Sequence, residues 1–449
     1  MTDANKDIEK TPIGKTPVGE APSYREAAMV WWRIGVLSFG GPAAQIALMH
    51  RMVVDERKWL SEQQFLNALS FCMMLPGPEA MQLATYAGWR LHGVAGGLMA
   101  GLAFVLPGAA VILCLAAAYA LYGQAPLAAS LFMGIKAAVL VIVLEALLKV
   151  ARKALSGPAH WLIAAFAFVG IFFLEWPFPL IIAFAALYGL RHGRGLAQNG
   201  EQTAEPQGTP DKVTFIKTLT TVLVWLVIWW LPVALVWALA SPDAFGTIGL
   251  FFSKLAMVTF GGAYAVLAYM AQDAVDLYGW LSATEMMDGL GLAETTPGPL
   301  ILVTEFVGFL AAARVEGGVN LWLGLAGAML TLWATFAPCF LWVFAGAPYI
   351  EWISARPQLR EALRAITAAV VGVILNLSVW FALHVLFDTV EKQQVGLLSL
   401  HVPNWQSFNP EVFVLSLLAG YMLHVRQWSI VKCLAVTSGL GLLIGLLGV

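Results

Sequence analysis

The chain interrupts its own apolar helices twice, and later does so again. Ser38-Phe39-Gly40-Gly41-Pro42 and Pro76-Gly77-Pro78 are helix-breaking runs set inside apolar sequence. Thr259-Phe260-Gly261-Gly262 and Pro297-Gly298-Pro299 each follow 221 residues after their counterparts. The same offset pairs Arg33 with Lys254, Asp55 with Asp276, and Trp59-Leu60-Ser61 with Trp280-Leu281-Ser282. Chance similarity between apolar stretches drifts, but this register holds without a gap from Arg33 to Pro78. The chain therefore carries a duplication, and its fold must place two copies of a unit built on broken helices.

Where these breaks sit follows from composition. Of 449 residues, 60% are hydrophobic and only 12% charged, with a mean hydropathy of +0.78. A soluble chain keeps about 25% charged. Several stretches of about 20 residues carry hardly a charge, as a helix crossing a ~30 Å hydrocarbon core requires. The expected class is an all-α polytopic membrane protein. Residues 1–22 are polar and lack an apolar core, so they read as a disordered tail and not a cleavable signal. Cys72, Cys114, Cys339 and Cys433 stand apart in apolar segments and read as packing thiols. The seven His show no ligand spacing, so no metal and no cofactor are expected. A net charge of −2 carries no information about partners, and no nucleic-acid partner is expected.

Apolar runs between turn signals predict about thirteen membrane segments. Six fall near 24–54, 61–90, 93–122, 126–155, 159–174 and 177–190, and a Trp-rich one stands alone near 214–240. Six more follow near 243–272, 282–313, 318–348, 361–387, 410–425 and 428–448. The predicted domains are a tail (1–22), a first transport repeat (23–192), a cytoplasmic linker (193–212), a connecting helix (213–241) and a second repeat (242–449). With thirteen crossings and the N-terminus inside, most Lys and Arg collect on the inner side. The outer side receives Arg51, Arg57, Lys58, Arg314 and Lys392. The positive-inside rule then places the N-terminus inside and the C-terminus outside. An odd number of segments separates the copies, so the second enters from the opposite face. Inverted-topology repeats with broken or re-entrant helices are the usual build of secondary transporters, whose site lies near the midplane.

Irregular backbone at that depth is tolerated only where it is buried in protein or lines a wet cavity. Pro42, Pro78 and Pro299 suit a first helical position, where the missing N–H was an orphan donor anyway. The amides that follow would point into the break, and a half-helix N-terminus presenting bare N–H groups attracts anions. Gly40, Gly41, Gly77, Gly261, Gly262 and Gly298 would let backbone come close to one. The competing reading is that Gly and Pro only permit tight packing or kinks. Ser61 with Gln64, and Ser282 with Glu285, fit capping boxes at helix starts.

Arg33 and Lys254 are the charges that need a reason. A basic side chain near the bilayer centre costs at least ~2.5–3.5 kcal/mol, so it should face the interior and find a partner. Each precedes its Phe-Gly-Gly break by six residues. They would supply positive charge to a doubly negative substrate, or else pair with Glu79, Glu294, Glu305 or Asp288. A carboxylate beside a dianion is unfavourable unless protonated, and burial favours the neutral form. Glu79 and Glu294 are thus candidates for proton coupling, with helix N-terminal stabilisation the alternative for Glu79.

SFGGP, VDERKWLSEQQF and LPGPEAMQLATYAGW, with TFGG, WLS and TPGPL in the second copy, resemble the chromate ion transporter family in its long two-domain form. The likeness runs from about Tyr24 to the C-terminus. It implies a bacterial inner-membrane protein that exports chromate, driven by the proton-motive force, and so gives chromate resistance; the outside C-terminus read from charge would then be periplasmic. Sulfate is the competing analogue. The family's Phe-Gly-Gly-Pro motif falls on Phe39–Pro42 and its Pro-Gly-Pro motif on Pro76–Pro78. The second copy departs at Ala263, where Pro is expected. The substrate-binding candidates are Arg33, Ser38–Pro42, Pro76, Gly77, Pro78, Lys254, Gly261, Gly262, Pro297, Gly298 and Pro299. The expected function is a proton-coupled antiporter, not an enzyme, with chromate, protons and the bilayer as partners; a homodimer is compatible. The alternatives are transport or uptake of sulfate or another oxyanion, an intramembrane lipid-phosphate enzyme, and a channel or scaffold.

Overall fold

The computed structural model describes residues 22–198, 212–239, 244–260, 263–350, 356–396 and 398–447. Among them are sixteen α-helices and one two-stranded β-ribbon. The tail, most of the linker, and Gly261 and Gly262 lie outside the described residues.

The chain begins with two helical hairpins. Ser23 caps α1 (Tyr24–Leu37) by accepting the Glu26 N–H at 3.2 Å. Gly40 and Gly41 then take φ of +87° and +80°, which side chains resist, and lead into α2 (Gly41–His50). A π-helical turn, Arg51–Glu56, extends α2. Arg57 then ion-pairs with Glu26, and Trp59 lies 6.4 Å from Trp31, so the chain has come back to where α1 began. The next pair does the same. Helix α3 (Glu62–Cys72) ends before Pro-Gly-Pro, and α4 (Glu79–Tyr122) breaks at His92–Gly93. There His92 Nε2 lies 2.7 Å from the Pro22 carbonyl, again beside the start of α1.

After the long helices α5 (Pro126–Ala154), α6 (Pro158–Phe172), α7 (Phe178–Gln198) and α8 (Lys212–Leu239), the hairpins recur. Helix α9 (Ala244–Val258) pairs with α10 (Ala263–Gln272) and its π-turn Asp273–Leu277. Trp280 returns to stand edge-on to Phe251 of α9 at 5.4 Å. Helix α11 (Ala283–Thr295) pairs with α12 (Val303–Ala313). Arg314, just past α12, donates to both oxygens of Glu285 at the start of α11, at 2.7 and 3.1 Å. The segments near 24–54, 61–90, 243–272 and 282–313 are therefore re-entrant and not crossings. Left-handed glycines reverse the chain where a kink would have let it continue.

Nine other segments follow among the described residues, α6 and α15 being short at 15 and 11 residues. They are the second part of α4, α5 to α8, α13 (Leu321–Gly346), α14 (Pro357–Leu386), α15 (Pro410–Gly420) and α16 (Ile430–Leu447). Among the described residues, six helices are long and apolar enough to cross a bilayer by length and composition. Helix α7 continues to Gln198, into the stretch read as linker.

Both capping boxes form as their sequence indicates, Ser61 with Gln64 and Ser282 with Glu285. The turns before them share a device the sequence reading missed. Lys58 and Gly279 adopt φ of +55° and +59°, and the following Trp59 and Trp280 donate to Val53 and Ala274, six residues back. Glu175-Trp176 and Gln427-Trp428 repeat it, the Trp N–H groups reaching Gly170 and Met422.

Between α14 and α15 the chain forms a ribbon, β1 (Val390–Val395) antiparallel to β2 (Leu398–Pro403), where no regular structure was expected. The Ser399 N–H donates to the Phe173 carbonyl at 2.8 Å and Lys392 Nζ lies 2.5 Å from Glu175, which docks the ribbon on the α6–α7 turn. Partial burial pulls the Glu175 carboxyl upward, but hydrogen bonds from Lys392 and Ser399 outweigh it and hold it below its ordinary range.

A lowered carboxyl pKa stabilises docking above the unfolded value and is lost as pH falls through the folded one. Amide protection factors across Val390–Pro403 should therefore fall on acidification, and Glu175→Gln should lower them already at neutral pH. Gly77 and Gly298 have φ of +124° and +90°, and a Cβ on Gly77 would meet Cys339 Sγ and Gln82 Nε2 at 2.8 Å. Each Gly→Ala change should cost about 1–2 kcal/mol from backbone strain alone. Thermal unfolding in detergent would register it, with Cys339→Ala partly rescuing Gly77→Ala.

Candidate functional site

A helix interrupted within a bilayer leaves amides and carbonyls that no water reaches, so each needs a protein partner. Here each copy supplies the other's. The Gly298 N–H donates to the Ser38 carbonyl at 2.8 Å, and the Gly77 N–H donates to the Thr259 carbonyl at 2.7 Å. Ser38 and Thr259 are counterparts in the duplication, and so are Gly77 and Gly298. The first break of each copy thus meets the second break of the other. Matching bonds brace both ends: Ser38 Oγ donates to Ile34 at 2.6 Å and Thr259 Oγ1 to Leu255 at 2.7 Å. Gln45 Nε2 adds a bond to the Gly298 carbonyl at 2.7 Å, and Gln82 Nε2 one to Pro76 at 2.7 Å.

These bonds consume the amides of Gly77 and Gly298, which are therefore not open to an anion. Pro297, Gly298, Pro299, Gly77 and Pro78 are buried, and Pro76 is partly so. Around the first break the surface is open. Phe39, Ala43 and Ala44 are exposed and Gly40, Gly41 and Pro42 are partly exposed. No side chain caps the start of α2, so its first-turn amides are the accessible uncapped donors of this region.

The basic residues do not meet the acids considered for them. Arg33 lies on the exposed face of α1 and forms no ion pair with a described residue. Lys254 is exposed on α9, its Nζ 5.5 Å from the centre of the Tyr269 ring. Glu79 is half-buried at the start of α4. Glu294 is 5% exposed and accepts from Tyr264 Oη at 2.8 Å.

One network lay outside the sequence reading. Asp288 on α11 accepts from Tyr119 Oη of α4 at 2.7 Å and faces Lys136 Nζ of α5 at 3.8 Å. A lone Lys in an apolar span implies a partner, and that signal was present at Lys136. What could not be read was which distant acid would supply it. The two copies also differ in closure. Helix α11 buries every residue from Glu285 to Glu294, whereas α3 exposes Glu62, Gln63, Leu66, Asn67 and Ser70.

Comparison with known proteins agrees with this two-part arrangement. The chromate transporter family matches residues 25–190 and again 246–446. A probable chromate transport protein of Synechococcus elongatus is 28% identical over 404 residues, 89% of this chain and 95% of that protein. A chromate transport protein of Pseudomonas aeruginosa is 31% identical over 361 residues, 78% of this chain and 79% of that protein. An uncharacterized transporter of Bacillus subtilis aligns 87% of its length with 38% of this chain at 30% identity. No solved structure matches. Covered by the family on both sides of its connecting helix, the chain belongs to the chromate transporter family.

Proposed function

We propose that this protein is a secondary transporter that carries chromate out of the cytoplasm in exchange for protons, and so gives chromate resistance. The observation that carries the reading is the pair of matching bonds between breaks of opposite copies, beside one accessible, uncapped helix start. Arg33 supports it further. Arg33, two thirds of the way along α1, is an exposed cation on a membrane-embedded helix, which is costly against lipid unless its charged end reaches water. Chromate loses hydration there to the α2 amides and to Arg33, while Lys254 serves the equivalent place in the second copy. Glu79 and Glu294 carry the proton.

Topology supports a direction. Five segments separate the two sets of hairpins, an odd number even if the α6–α7 pair does not fully cross, so the second set enters from the opposite face, as inverted repeats do. Because the first hairpin returns, Arg51, Arg57 and Lys58 rejoin the N-terminal side, and Arg314 and Lys392 remain on the other. The positive-inside rule then puts the N-terminus in the cytoplasm and the C-terminus in the periplasm of an inner-membrane protein. The exposed α3 beside the buried α11 corresponds to a path open to the cytoplasm and closed outward.

Chromate flux in proteoliposomes under an imposed pH gradient tests the reading, with sulfate as competitor. Arg33→Ala and Lys254→Ala should each lower flux at least tenfold at unchanged protein level; full flux in both would refute the substrate role. Glu294→Gln should remove the dependence on the pH gradient, and an unaltered dependence would exclude it as the coupling acid. Single cysteines at Arg57 and Arg314 should label from opposite sides of intact cells. Labelling from one side would break the topology.

A further inference from the structure

Glu305 has no role in the scheme above. It sits in the first turn of α12, fully buried, and neither carboxylate oxygen has a protein hydrogen-bond partner. Three hydroxyls nearby share that condition. Ser253, Thr331 and Thr335 are at most 1% exposed and their hydroxyl oxygens are unpartnered. Elsewhere among the described residues, buried serine and threonine hydroxyls on or beside helices fold back onto their own helix, as Ser38, Thr85, Thr259, Thr304, Ser378 and Thr437 do. The three exceptions gather in one place.

Helix packing puts them there. Glu305, Gly308 and Ala312 share the face of α12 turned to α13, since Gly308 abuts the Thr331 hydroxyl and Ala312 abuts Gly327. Running antiparallel, the two helices bring Thr331 and Thr335 level with Glu305. Gly249 of α9 packs on Leu330 of α13, and Ser253 lies one turn on along the same face of α9.

An ionised carboxylate with no partner in a dry interior costs several kcal/mol. A protonated one would donate to a single acceptor and leave the other hydroxyls unsatisfied. We propose that Glu305, Thr331, Thr335 and Ser253 form a binding site for one monovalent coupling cation, an all-oxygen set whose hydroxyls favour Na⁺ over a bare proton. One cation neutralises the one carboxylate. It also ties α9, which ends at the Thr259 break, to α12, which begins beyond the Gly298 break. The site belongs to the second copy alone. The first copy places Ala84 where Glu305 stands, and Trp32 where Ser253 stands.

Only the coupling role rests on the transporter reading; cation binding does not. Thermal unfolding of the purified full chain, without chromate, should compare NaCl with choline chloride at equal ionic strength across a pH series. Na⁺ should raise the melting temperature by several degrees, with the gain lost in Glu305→Gln and its midpoint concentration raised at least tenfold in Thr331→Val or Ser253→Ala. A gain on acidification that Glu305→Gln removes, without a Na⁺ effect, overturns the cation site and leaves Glu305 a protonated acid. If neither gain depends on Glu305, the site is refuted. In proteoliposomes, a gradient of the bound cation should change chromate flux at least tenfold; binding without that response overturns the coupling role.

Discussion

Two backbone hydrogen bonds, Gly298 to Ser38 and Gly77 to Thr259, are what the rest of the structure is arranged to permit. Reversing four helices inside a bilayer strands polar backbone where no solvent can satisfy it. Neither copy makes these bonds alone, since each joins a donor in one copy to an acceptor in the other. Placed against one another, the copies exchange one bond each way. Glycine at both donor positions follows from the positive φ the reversal needs. Gly108 lets the long helix α4 close on the same region, since a Cβ there would stand 2.2 Å from the Pro297 carbonyl.

Within that shared frame the copies have diverged in charge. The second copy carries Glu285, Asp288, Glu294 and Glu305, while the first has Gln64, Asn67, Met73 and Ala84 in their places. The acids of the second copy are buried, and three have assigned partners in Arg314, Tyr119 and Tyr264. The first copy instead keeps an open helix start and an exposed Arg33. A division of labour between anion and cation is the proposed consequence. The departure at Ala263 from the Pro of the first copy falls on the same side of that division.

Much of the plan was legible because it is local. Trp-Leu-Ser followed by Gln64 or Glu285 specifies a helix start whatever surrounds it, and both starts form. The four breaks were legible for the same reason, since Gly pairs and Pro-Gly-Pro cannot continue a helix. The fate of each break was not, because a kink and a reversal use the same residues. Only contacts such as Glu26 with Arg57 and Glu285 with Arg314 distinguish them. The left-handed residue before each of four Trp was missed because Lys58, Glu175 and Gln427 do not advertise positive φ.

Sequence alone determined the class, the duplication, the position of every break and the residues that must bear charge in apolar surroundings. Hydropathy and register are properties of the chain itself, and they need no partner to be read. Tertiary structure decided which breaks meet, which side chains are covered, and that Lys136 answers to Asp288 and not to any neighbour on its own helix. Burial and pairing depend on helices hundreds of residues apart coming to one level, and no local pattern encodes that level.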